Sequence, residues 1–133
     1  MISSRKERSF WVTLLVVVIA AGLGSRRVHT GSLWIDKYAG DALYAAMVYA
    51  LLHLSGRCTR VAFWASAVLL AIECFQLTGV PASLAQHPQL AVRLLARLLG
   101  TEFSWLDLLA YAVGIAAMAL LDWTRYQKSF KPS

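Results

Sequence analysis

Charge is scarce in this chain, and so is cysteine. Of 133 residues, 15% are charged and 59% hydrophobic, and the mean hydropathy is +0.58. A soluble domain of this length cannot cover so much apolar side chain, so the composition points to the bilayer as solvent and to one domain at most. The cysteines, Cys58 and Cys74, give no disulfide framework. Sixteen residues apart on or beside one helix, they are separated by about 24 Å at about 1.5 Å per residue, and a disulfide needs Cα atoms within about 7 Å. CxxC and HxxxH spacings are both missing, which excludes the common zinc sites, and no cofactor motif is present. The net charge of +6 comes without a basic stripe interleaved with aromatics, so nucleic acid is not the expected partner. There is no internal repeat and no low-complexity segment.

What is present is a series of apolar runs with basic residues at their ends, where membrane anchoring places them. Four spans are expected, at residues 10–24, 38–55, 61–79 and 103–123. A crossing needs about 20 residues, with a range of about 17–25. The third and fourth meet that length, and the second does so by accepting Asp41 and His53 near its ends. The first is short, and its flanks (Arg5, Lys6 and Arg8 before, Gly22 and Gly24 after) also suit a secretory signal; we read it as a retained span. The excess of Lys and Arg at one end of the spans puts both termini in the cytoplasm. Five residues, Gly56 to Arg60, make spans two and three an antiparallel pair. The fold class expected is all-α: a four-helix transmembrane bundle forming a single domain over 1–133. Between spans three and four, residues 88–99 set Leu90, Leu94, Leu95 and Leu98 on one helical face and Arg93 and Arg97 on the other. That is the pattern of an extracytoplasmic interfacial or re-entrant helix.

Three carboxylates interrupt the spans at similar depth. Asp41 and Asp107 lie one turn inside the outer ends of spans two and four, and Glu73 lies about 9 Å below the outer end of span three. A carboxylate inside a bilayer costs several kcal/mol, so it has partners, a watery pocket or a task. Helical spacing puts Asp41 with Ala45 and Tyr49, Glu73 with Gln76, and Asp107 with Tyr111 and Gly114. Ala20, Gly24, Gly40, Ala42 and Ala110 accompany them and are expected to let helices approach closely. Arg26 and Arg93 are the expected cationic partners; Arg pairs bidentately with carboxylate and equally with phosphate. Blander roles compete. Asp41 and Asp107 would suit helix starts, Gln76 interhelical glue, and Trp11, Trp34, Trp105, Trp123 and Tyr126 an interfacial belt. A hard cation held by Asp41, Glu73 and Asp107 has nothing in the sequence to fix its geometry, and no metal site is expected.

The residues Gly22-Leu23-Gly24-Ser25-Arg26 and Lys37-Tyr38-Ala39-Gly40-Asp41-Ala42-Leu43-Tyr44 resemble a bacterial membrane family known as domain of unknown function 2809. Glu73-Cys74-Phe75-Gln76-Leu77, Arg93, Gly100 and Phe103-Ser104-Trp105-Leu106-Asp107-Leu108-Leu109-Ala110-Tyr111 continue the resemblance to Gly114. The order of an Asp opening the second helix, E-x-x-Q ending the third, then Arg and Asp, is also similar to the wider VanZ-like group, named for a teicoplanin-resistance protein. Two departures stand out: the stretch between Gln76 and Arg93 is loosely matched, so Arg97 competes with Arg93, and Tyr44 stands where relatives tend to carry Trp. The resemblance implies a four-helix inner-membrane protein of the bacterial cell envelope, and implies no reaction.

The leading functional expectation is a binding module. An outward-facing polar pocket of Arg26, Asp41, Glu73, Gln76, Arg93, Asp107 and Tyr111 would hold the head group of an envelope lipid or a glycolipid precursor, a phosphate-bearing ligand among membrane lipids. An accessory subunit of a membrane complex, with a protein partner at Trp105-Leu106, is the first alternative. The second is an intramembrane hydrolase or transferase with Glu73 and Asp107 as acid and base, weakened by the lack of any Ser-His or Cys-His nucleophile pair on that face.

Overall fold

The structure is a computed structural model that describes residues 5–25, 27, 31–56 and 60–130. These form six helices and no strand: α1 (Arg5–Ser25), α2 (Leu33–Ser55), α3 (Val61–Gln76), α4 (Val80–Leu84), α5 (Leu90–Leu99) and α6 (Trp105–Phe130). The molecule is all-α among the described residues. By length and composition, α1 and α6 can cross a membrane. α3 is apolar but has 16 residues, about 24 Å at 1.5 Å per residue. α2 has the length, with Asp36, Lys37 and Asp41 in its first three turns.

Several boundaries differ from those expected. α2 begins at Leu33, five residues before the expected start at 38, which carries Asp41 into the third turn and away from any capping position. α3 stops at Gln76 because Pro81 follows closely: a proline four residues on lacks the N–H and crowds the carbonyl of Leu77. Gly79 then turns the chain with φ +72°, and Pro81 fits the first turn of α4, an element not expected from the sequence. α6 runs seven residues past the expected end at 123.

α2 is central, packed between α1 and α6, and α3 lies against both α2 and α6. The buried stripes are narrow and built from small residues: Ala45, Ala46 and Ala50 of α2, Ala65 of α3, Ala110 and Gly114 of α6. A Cβ on Gly114 would fall on the Ala42 carbonyl oxygen and crowd the Ala45 Cβ, so glycine sets the α2–α6 distance. Gly24 and Gly40, expected in the same role, have nothing within 4 Å of a built Cβ. Many large side chains turn outward. Val12, Val16, Val17, Phe63, Leu70, Leu109, Val113 and Leu120 are exposed along α1, α3 and α6, the arrangement expected where the surroundings are themselves apolar. Trp34, Trp105, Trp123 and Tyr126 are exposed near helix ends, as a belt requires, but Trp11 is fully buried. It stacks on His53 at 3.9 Å between ring centroids, so it is a packing residue.

Candidate functional site

Two polar clusters sit at opposite ends of the α2–α6 interface. On α2, Lys37, Asp41, Ala45, Tyr49 and His53 recur every four residues and share a face. On α6, Asp107, Tyr111, Ile115, Met118 and Asp122 make the facing stripe. The middle is dry and close-packed, with Ala45, Gly114, Ile115 and Met118 all buried. At the end nearer the chain termini, the Tyr49 hydroxyl donates to Asp122 Oδ2 at 2.9 Å and His53 Nε2 faces Asp122 Oδ1 at 3.2 Å. Arg125 closes that end, 3.0 Å from Glu7 and with its guanidinium 3.5 Å from the Phe10 ring centroid.

At the other end, the three carboxylates singled out by the sequence meet. Asp41 of α2 and Asp107 of α6 are direct neighbours, and the fields of both reach Tyr111. Glu73, in the last turn of α3, is fully buried, with the Tyr111 hydroxyl and the Ser104 backbone beside it. Neither neighbour completes a hydrogen bond, and both Glu73 oxygens lack a partner. Asp107 Oδ1 lies 3.2 Å from Lys37 Nζ, an ion pair without the directionality of a hydrogen bond. Gln76 ends α3, and its Nε2 donates to the Leu99 carbonyl at 2.7 Å. That bond satisfies a terminal carbonyl of α5 and ties the end of α5 to the bundle. Gly100 makes room for it: φ is +85°, and a Cβ there would stand 2.5 Å from Gln76 Nε2.

The expected cations are distributed differently. Arg26 lies outside the described residues. Arg93 makes no ion pair among the described residues, and Arg97 reaches the cavity edge. The Gln76–Leu99 tether explains this, because it pins the C-terminal end of α5 over the site and leaves Arg93 a turn further away. Lys37 takes the place expected of an arginine. Its four-residue spacing from Asp41 puts both on one face of α2.

A half-open cavity of about 680 Å³ adjoins the cluster, within the range of small-molecule sites. Its polar end is made by Asp41, Asp107, Lys37, Gln76 and Tyr111, with Arg97 and Glu102 at the edge. Val18, Leu23, Leu43 and Met47 form an aliphatic wall between α1 and α2. Gly22 and Gly40 line it too, and their missing side chains leave the space open. Glu73 stands behind this lining, against Tyr111. No group of three or more His, Cys, Asp or Glu side chains arranged to hold a metal ion occurs among the described residues.

The family model described as Protein of unknown function (DUF2809) matches residues 30–115, which include every residue of this cluster. The chain belongs to this family. No curated protein and no solved structure matches the chain. Membership in DUF2809 therefore brings no activity with it, and the chemistry must be read from the site.

Proposed function

We propose that this DUF2809 chain is a VanZ-like, multi-pass protein of the bacterial inner membrane that binds the head group of a membrane-resident amphiphile. In this reading α1, α2, α3 and α6 cross the bilayer, both termini are cytoplasmic, and the whole chain is one integral membrane domain. α5 lies in the outer interface; its exposed Leu90, Leu94, Leu95 and Leu98 support that placement. The observation that carries the proposal is the graded cavity. Charged groups end it on one side and aliphatic walls on the other, as a head group joined to an acyl or prenyl chain requires.

Gly40→Leu provides the test, since a Cβ there meets nothing within 4 Å and a longer side chain enters the cavity. Purified from membranes and examined by native mass spectrometry, the wild-type chain should retain one amphiphile. Gly40→Leu should lose it while melting at the same temperature or slightly higher, because leucine is the better helix former. Equal retention by both proteins would contradict the proposal.

A further inference from the structure

The ligand's chemistry can be narrowed from the atoms the fold leaves without partners, an argument that rests on the head-group reading above. Lining the cavity these are Asp41 Oδ2 and Gln76 Oε1, and Asp107 Oδ1 there is met only by the ammonium of the half-exposed Lys37. Every one is an acceptor. Gln76 is 6% exposed and Asp107 5% exposed, and both line the cavity, so these are enclosed side chains aimed into it. The assignment at Gln76 is fixed, because its amide nitrogen is already engaged by the Leu99 carbonyl. Buried acceptors without donors are costly, and the complement they call for is a donor.

Charge points the same way. Among the described residues, Asp41, Glu73 and Asp107 share this end with one ammonium, that of Lys37, whose side chain is half exposed. Glu73 and Gln76 also close α3, where the carbonyl end of the helix adds negative potential. A phosphate at the inner end would meet carboxylates and free acceptors. The cationic groups suited to it, Lys37 and Arg97, are exposed at the edge. A metal ion is poorly served, since the carboxylates do not converge as a ligand set.

We infer that the acidic end of the cavity holds a primary ammonium group, set against Asp41, Asp107 and Gln76 Oε1. A phosphodiester, where the ligand has one, sits outside it beside Lys37 and Arg97. Such a group occurs on an aminophospholipid and equally on a soluble amine, and the experiment separates them.

The full chain is placed in nanodiscs of a phosphatidylcholine matrix containing dilute phosphatidylethanolamine, N-acetylated phosphatidylethanolamine or phosphatidylglycerol, and retained lipid is counted. Phosphatidylethanolamine should be retained about tenfold or more over the other two, and Asp107→Asn or Asp41→Asn should remove that preference. Spermidine displacing the lipid only at millimolar concentration supports the amphiphile as source. Tight spermidine binding with no lipid preference keeps the ammonium and overturns the head-group reading. Phosphatidylglycerol retained as well as phosphatidylethanolamine, and lost in Gly40→Leu, leaves the head-group reading standing and overturns the ammonium. Release of the amine by micromolar Ca²⁺ or Mg²⁺ also overturns it, and retention of no lipid or amine at all overturns both. Because an Asn variant can fail by misfolding, the fold of each variant is checked by melting, and Glu7→Gln at the opposite polar end is the control expected to keep the preference.

Discussion

Asp122 shows what a paired carboxylate looks like in this molecule, and Glu73 what an unpaired one does. Asp122 accepts from Tyr49 and faces His53, which in turn stacks on the buried Trp11. Glu73 is sealed from solvent with neither oxygen bonded. The first arrangement serves cohesion, tying α2 to α6 and α1. A double-mutant cycle of His53→Ala and Asp122→Ala, read from unfolding in bicelles, should give a coupling of about 0.6 kcal/mol, up to about 1.7. Zero coupling would make the contact incidental. The meeting of Asp41, Glu73 and Asp107 was legible in the sequence, because depth from the helix ends and four-residue spacing locate a side chain in two coordinates. Lys37 was harder to see. A lysine beside an apolar run ordinarily extends to water, and its inward role depends on α2 starting a turn earlier than hydropathy suggests. The polarity of the unpartnered atoms was not legible at all, since it follows from which end of Gln76 the fold engages.

At the scale of elements, the C-terminus of α3 and that of α5 are joined by one side-chain amide, and Gly100 is the condition for it. Gly100→Ala must adopt φ +85° and displace Gln76 Nε2, so it should free α5 from the bundle. Hydrogen exchange over residues 90–99 should rise by about an order of magnitude or more, given a strain of about 1–3 kcal/mol. Unchanged protection would show that α5 is held by other contacts. The amphipathic pattern of α5 was readable in advance, as were the cores of all four long helices. The break at Gln76 was not, although Gly79 and Pro81 supply it: a mostly apolar run continuing to Gly79 masked the point where a proline two residues later stops the helix.

For the whole molecule, the distribution of side-chain size is the informative feature. Alanine and glycine set the closest contacts between helices, beside a few buried large side chains such as Trp11, Tyr49, Leu69 and Tyr111, while many valine, leucine and aromatic residues face out. In water such a surface would associate, whereas in lipid it costs nothing, which supports the membrane setting proposed above. The packing also separates the two polar ends by a buried middle of Ala45, Gly114, Ile115 and Met118. The most direct test is a density map of the wild-type chain in nanodiscs containing phosphatidylethanolamine. The expected result is four helices across the bilayer and a head group in the outer half, its amine within hydrogen-bonding distance of Asp107 and Gln76 Oε1. An outer cavity crossed by acyl chains alone, or helices lying in the interface, would contradict it.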